Sequence, residues 1–379
     1  MKKSYLLTPG PSSVPPKTLL KMAEPIIHHR KEEFRAILAE IREGLKYLFQ
    51  TKNEVLIFAS SGTGAMEGAV SNTLSQGDKA LVINGGKFGE RWVDICQAYG
   101  VDVVTMDVPW GEAADPQRVK KILDEDTSIK AVLTQACETS TGVDHPIREI
   151  AEIVRDRNDT IIIVDAISAL GALDIPFDKW NLDIVVTGSQ KALMLPPGLA
   201  FACVSEKAWG FIERSDLPKY YFNFKKELKS ISKNQTTYTS AVSLLKGLRE
   251  SLNQLKNEGL SNVFARHERL AKATRAAITA LGLQLYAPKS PSNAVTAVLS
   301  PQGMNASDLV NIMLERHGII VAGGQAQAKG KIFRIAHMGY ADQFDVVTVI
   351  SGLEMTLNEL GYKVELGKGI NSALAVLAR

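Results

Sequence analysis

The sequence predicts an α/β protein: a large domain with a mostly parallel seven-stranded sheet between helices, followed by a smaller α+β domain. Three observations carry that prediction. Between Val55 and Ser205, seven short apolar runs alternate with amphipathic stretches. Most of these runs are rich in β-branched residues and show little polar alternation, as strands do when helices cover both faces of their sheet. Beyond residue 250 the pattern changes to long helices, then to short strands mixed with helices.

Taken in order, VLIFA (55–59) leads into a helix-like stretch at 64–75, and ALVIN (80–84) into one at 89–99. VDVVTMDV (101–108) precedes a helix pattern at 115–125, and AVLTQA (131–136) one at 146–157. Pro116 and Pro146 sit in the first turns of these two, behind Asp115 and His145, where proline is tolerated. TIIIVDA (160–166), DIVVTG (183–188) and GLAFACVS (198–205) complete the seven strands. Strand–helix alternation implies right-handed crossovers and a largely parallel sheet. Residues 241–281 read as two long helices separated at Gly259. After them come AVTAVLS (294–300), a helix at 306–317, GIIVAGG (318–324), KIFRIAHMG (331–339) and a helix at 342–360. The large domain is placed at 15–250 and the small one at 251–379.

Composition excludes several classes. Lys+Arg 44 against Asp+Glu 41 gives a formal net charge of +3, without the basic clustering a nucleic-acid partner wants. Apolar residues at 45% and charged ones at 22% are globular proportions, so disorder is excluded as the main state. Cys96, Cys137 and Cys203 form no CxxC pair, which argues against a disulfide framework or a cysteine zinc site and fits a reducing compartment. The opening MKKSYLLTPGP breaks at proline before any long apolar region, unlike a signal peptide. No apolar stretch approaches the ~20 residues of a membrane span. The expectation is a soluble cytoplasmic protein that engages neither nucleic acid nor membrane.

Four polar groups fall where strands end, the edge at which ligands of such sheets bind. Ser60-Ser61-Gly62-Thr63-Gly64-Ala65 is either an ordinary capped turn or a phosphate cradle built on a helix N-terminus. Asp165 closes an apolar strand; such a carboxylate caps the next helix, binds a metal, or meets a protonated ring nitrogen. With no metal-ligand spacing nearby, the nitrogen is preferred and no metal is expected. Lys191 in Ser189-Gln190-Lys191 is hemmed in by ALMLPPG, and a desolvated lysine attacks carbonyls to form Schiff bases. Arg334 shares one strand face with Ile332, Ala336 and Met338; it either snorkels to water or captures a carboxylate. A phosphate cradle, a carboxylate, an amine nucleophile and a carboxylate anchor together suit pyridoxal 5'-phosphate acting on an amino acid.

Eight motifs then follow in order: TPGPSSVPP, SSGTGAMEGAV, NGGKFGERW, ETSTGVDHPI, VDAISALGA, VTGSQKALMLPPGLA, LRESL and FRIAHMGY. On these, and over nearly its whole length, the chain resembles the class V aminotransferases of fold type I, in the alanine–glyoxylate and serine–glyoxylate (serine–pyruvate) branch. The resemblance implies that Lys191 is the catalytic Schiff-base lysine and that Asp165 partners the pyridinium nitrogen. It implies phosphate contacts from Ser61, Gly62, Thr63, Ser189 and Gln190, and a ring-hydroxyl contact from Thr139. Ile167 would pack on one ring face and Phe88 on the other, where the animal pattern has tryptophan. Arg334 would bind the substrate carboxylate, and Gly10, in an arm spanning residues 1–14, would line the substrate pocket. Thr239, with Thr236 or Tyr238 beside it, matches a segment that reaches the partner subunit's phosphate. That implies a homodimer with shared sites, and the motif does not choose among residues 236–238. The implied reaction moves the amino group of alanine or serine to glyoxylate or pyruvate by a ping-pong route. An aminophosphonate donor or a lyase on the same scaffold are the alternatives. A dicarboxylate donor would want a second cation, for which Arg30 is the early candidate, against its ordinary reading as a surface charge at a helix start.

Overall fold

The computed structural model describes residues 3–378. The chain opens with β1 (Tyr5–Leu6), α1 (Pro16–Ala23) and α2 (Glu32–Phe49). Alternation follows: β2 (Val55–Phe58), α3 (Gly62–Thr73), β3 (Lys79–Asn84), α4 (Lys87–Ala98), β4 (Asp102–Asp107), α5 (Pro116–Glu125) and β5 (Ile129–Gln135). A hairpin of β6 (Cys137–Glu138) and β7 (Val143–Asp144) precedes α6 (Ile147–Arg155), β8 (Ile161–Asp165), β9 (Ile184–Gly188) and β10 (Ala200–Val204). Four helices come next: α7 (Glu206–Arg214), α8 (Phe224–Ile231), α9 (Val242–Glu258) and α10 (Leu260–Ala280). The remainder holds β11 (Val295–Leu299), α11 (Ala306–His317), β12 (Ile319–Ile320), β13 (Ala322–Gly323), β14 (Ile332–Ala336), α12 (Gln343–Glu359) and α13 (Lys368–Leu377).

All seven apolar runs enter one sheet, in the order β2-β10-β9-β8-β5-β3-β4. Only β10 runs against its neighbours; the pairs from β9 to β4 are parallel. Strands β2, β8, β9 and β10 are buried at every residue, which is why their sequences lack polar alternation. Edge strand β4 exposes Asp102, Thr105 and Asp107, charges and a polar group that discourage further pairing. After β4 the chain crosses back to set β5 on the other side of β3, so the carboxyl ends of β2, β3, β5, β8 and β9 share one edge. That edge is where the polar groups read from the sequence lie.

Two hydrophobic cores divide the molecule. The larger surrounds the sheet, includes Trp92, Phe201 and Phe224, and continues through Leu252 and Leu255 of α9 to Val263. The smaller begins at Leu270 and gathers Ile278, Phe333, Leu353 and Leu377. The changeover from one core to the other falls inside α10, because the apolar stripe of α9 packs on the sheet side. The arm bridges the two. β1 pairs in parallel with β12, and Leu7 joins the smaller core. Farther along the arm, Ser12 donates from its backbone to Gln190 O (3.0 Å) and from Oγ to Lys191 O (2.7 Å).

Helix α13 lies beyond the last helix expected from periodicity. Its start is held by Glu354, which is 1% exposed and accepts from the backbone N–H groups of Gly367 (2.6 Å), Gly369 (2.7 Å) and Ile370 (3.2 Å). A buried donor left without its acceptor costs about 1–3 kcal/mol. Glu354→Ala is therefore expected to lower stability by about 2–3 kcal/mol, read as a reduced thermal midpoint. An unchanged midpoint would show that Glu354 does not hold α13.

Candidate active site

Loops from the shared sheet edge enclose a cleft with about 390 Å³ of empty space. At the end of β2, Ser61, Gly62 and Thr63 form the start of α3. Ser61 makes no side-chain cap bond there, and while Gly64 N donates to Ser61 O (2.9 Å), the N–H groups of Gly62 and Thr63 are available to an anion. A Cβ at Gly62 would press on the Ile167 side chain, so a larger residue there would displace a residue that lines the cleft. Beyond β3, Phe88 opens α4 and lines the cleft; Thr139 arrives from the β6–β7 hairpin, and Asp165 and Ile167 from the end of β8. Gln190 and Lys191 follow β9.

Asp165 is buried, and its Oδ1 accepts from Ile167 N at 2.8 Å. Burial, and then the nearby charge of Glu138, outweigh that bond and push its carboxyl up to about 7. A cation placed beside it would favour the charged form. Lys191 is shifted the opposite way: burial pulls its amine down to about 8, against the opposing pull of Asp165. Its Nζ donates to the carbonyl of Pro9 in the arm. Gly10, at φ +136°, lies directly over that amine, and a Cβ there would overlap Nζ. The arm thus sits on the lysine itself, a closer placement than the pocket wall expected for Gly10.

Arg334 is 5% exposed, and its guanidinium is drawn down to about 10 by burial. Nε and Nη2 donate to Gly323 O (3.1 and 2.8 Å), and Nη1 donates to Thr139 O (2.8 Å). A guanidinium has five N–H groups, so one remains on each terminal nitrogen, enough for two-point capture of a carboxylate. Glu138 underlies this wall. Its carboxylate is wholly buried and accepts from the backbone of Phe88 (3.0 Å), Gly89 (3.1 Å) and Ser140 (3.2 Å), and from Gln135 Nε2 (3.0 Å). One side chain thereby fixes both the start of α4, which carries Phe88, and the loop that carries Thr139.

Some expected residues fall elsewhere. Ser189 is fully buried behind the cleft: its hydroxyl donates to Pro196 O (2.7 Å) and accepts from Leu199 N (3.2 Å), bracing the Pro196–Gly198 turn. Tyr238 and Thr239 line a second cleft with Thr236, Tyr221 and Glu227. Arg30 donates to Thr236 O (2.7 Å) beside that second cleft. Arg91 and Ser168 line the Lys191 cleft but were not singled out from the sequence. Arg91 follows Phe88 by three residues on a helix, a spacing that places both on one face. Cys137 also lines the cleft; its thiol, like that of Cys96, is buried and pushed up.

The residue set fits pyridoxal phosphate on three observations. The α3 start is uncapped, the Gln190 amide has a buried oxygen without a partner, and only a glycine fits over Lys191. The amide, turned about its axis, offers donors to an anion. Among the described residues no group of His, Cys, Asp or Glu is placed to hold a metal, and no helix is long and apolar enough to cross a membrane.

A family model described as aminotransferase class-V matches residues 4–347. A protein named soluble hydrogenase, small subunit, from Synechococcus sp. (strain PCC 6716) is 43% identical over 379 residues, 99% of each chain. L-aspartate–glyoxylate aminotransferase of Paracoccus denitrificans (strain Pd 1222) is 38% identical, covering 97% of this chain and 94% of that one. The crystal structure of ureidoglycine–glyoxylate aminotransferase from Bacillus subtilis superposes with a TM-score of 0.95 at 30% identity, covering 100% of this chain and 99% of that one.

Two outcomes are expected from the geometry. The nucleophilic form of Lys191 is the free amine, so its reaction with an aldehyde should accelerate as pH rises through about 8, rather than through the ~10.4 of a solvated lysine. The rate of adduct formation measured against pH checks this. Gly10→Ala should slow the same reaction at least about tenfold, because the methyl group takes the amine's space. A wild-type rate in Gly10→Ala would place the arm away from the amine.

Proposed function

This chain belongs to the class V aminotransferases, and from that premise we propose that it uses pyridoxal 5'-phosphate, tethered at Lys191, to move the amino group of alanine or serine to glyoxylate or pyruvate. When bound, the cofactor supplies the carbonyl that takes the donor's amino group and then yields it to the acceptor, an order that gives ping-pong kinetics. The observation that carries the proposal is the Lys191 amine itself, lowered by burial and set at a strand end in the same cleft as Asp165.

The chain's own residues divide the work. The α3 start, with Ser61, Gly62, Thr63 and Gln190, holds the phosphate through backbone and side-chain donors. Phe88 and Ile167 enclose the ring, and Thr139 stands for the ring hydroxyl. Asp165 keeps one carboxylate oxygen free of Ile167 N to hold the ring nitrogen's proton. Arg334 orients the donor through its carboxylate, which makes the reaction at the amine effectively intramolecular. Once released, the Lys191 amine would take the proton from the donor's α-carbon and deliver it to the cofactor's former carbonyl carbon, since its pKa near 8 lets it act as base and then acid near neutrality.

Arg334 is the arginine read as the anchor for one carboxylate, and on that reading the donor is small and monocarboxylic. A cysteine-dependent lyase is disfavoured by thiols that burial holds in the unreactive form. The segment with Thr236, Tyr238 and Thr239 lines a cleft other than its own chain's Lys191 cleft, which supports a homodimer in which it serves the partner's phosphate.

The purified protein is expected to be yellow, with borohydride fixing the chromophore on Lys191. Lys191→Ala should abolish transamination, a fall of at least about 10⁴-fold, while still binding the cofactor non-covalently. A screen of alanine, serine, aspartate and an aminophosphonate against glyoxylate and pyruvate identifies the donor. Wild-type turnover in Lys191→Ala would overturn the assignment, and preference for aspartate would overturn the donor reading.

A further inference from the structure

We propose that Arg91 is the cationic ligand of the cofactor's phosphate, an inference that rests on the reading of this cleft as a pyridoxal phosphate site. The expected phosphate contacts from this chain, Ser61, Gly62, Thr63 and Gln190, are all neutral donors. A phosphate monoester carries a charge near −2 at pH 7, because its second pKa is about 6. Charge-assisted hydrogen bonds are roughly twice as strong as neutral ones, and a guanidinium meets phosphate oxygens in pairs. The cleft therefore lacks a positive partner at its anionic end unless one arrives from outside the strand-end motifs.

Arg91 is placed to be that partner. It lies on α4 one turn after Phe88, and its side chain turns back into the cleft that contains Lys191. Nη1 donates to Thr63 Oγ1 at 3.2 Å, which puts the guanidinium at the first turn of α3, where the uncapped N–H groups also converge. The guanidinium stacks 4.8 Å from the centroid of the Phe88 ring, a contact that holds its plane in place. Its hydrogen bond to Thr63 uses one of five N–H groups, so several remain for an anion. Its charge also lowers the pKa of both Asp165 and Lys191, so it acts on the reacting groups electrically. Arg334 is anchored on Thr139 O and Gly323 O rather than at Thr63. The two arginines thus divide two anions: Arg91 for the phosphate and Arg334 for the donor's carboxylate.

The test compares the two vitamers. Wild type, Arg91→Gln and Arg91→Lys are stripped with an amino donor and dialysis. Each is then titrated with pyridoxal phosphate and with pyridoxal, following chromophore absorbance and borohydride-fixed adduct on Lys191 by mass. Loss of a charge-assisted contact predicts that Arg91→Gln binds pyridoxal phosphate about 10- to 100-fold more weakly. It should bind pyridoxal within about twofold of wild type, which also shows that the variant is folded. Arg91→Lys should recover part of the loss, because an ammonium keeps the charge without the paired geometry. Unchanged pyridoxal phosphate affinity in Arg91→Gln would overturn the proposal. So would an equal loss for both vitamers, which would make Arg91 a support for Phe88, or a loss confined to turnover of aspartate, which would make it a side-chain ligand for an acidic donor. If wild type binds neither vitamer, the reading of the cleft fails first, and the proposal with it.

Discussion

A lysine amine partly withdrawn from water at the end of β9 is the constraint around which the site is arranged. Desolvation disfavours its charged form, and Asp165 opposes that trend without cancelling it. The same burial raises Asp165, so each group is poised near neutrality rather than locked as an ion pair. An amine and a carboxyl in that condition can exchange protons with a ligand at little cost. They require a sheet edge that keeps water out and holds both in register, and the adjacent parallel strands β8 and β9 supply it.

The arm contributes to the same end. It belongs to the smaller core through Leu7 and the β1–β12 pairing, yet Pro9 and Ser12 bond to Lys191. Any shift of the small domain relative to the large one is therefore felt at the lysine. Arg334 spans the same junction: it sits on β14 and donates to Thr139 in the large domain. Arg334 and the arm segment over the amine are thus both tied to the smaller core. Glu138 does for the opposite wall what the arm does for the lysine, because one buried carboxylate fixes the positions of Phe88 and Thr139 together.

Much of this was legible in the residues. The seven apolar runs became the seven strands of one sheet, since burial on both faces leaves an unmistakable pattern of β-branched residues without polar alternation. Lys191, Asp165 and the Ser61–Thr63 turn stood out because a polar group closing such a run must have a purpose or a partner. Less visible were groups whose role depends on partners distant in sequence. Arg91 looks like any helix-surface arginine until α4 packs beside α3 and turns it onto Thr63. Glu138 reads as one residue of a loop motif, and its donors on Phe88, Gly89, Gln135 and Ser140 come together only after β5, β6 and α4 meet. Ser189 stood out beside Lys191 in sequence, but that its hydroxyl braces the Pro196–Gly198 turn depends on how that turn folds back. Which core the apolar stripes of α9 and α10 face was not legible either, because periodicity does not say which core a stripe will face.

The sequence by itself determined the fold class and the strand set, and it singled out Lys191 and Asp165 at strand ends, because these follow from local burial and from polar groups that close apolar runs. Tertiary structure alone decided which arginines face which part of the cleft, that Gly10 rests against the lysine, and that the Thr236–Thr239 segment lines a different cleft. Those outcomes depend on directions in space between elements that are far apart along the chain, and no local pattern of residues encodes a direction.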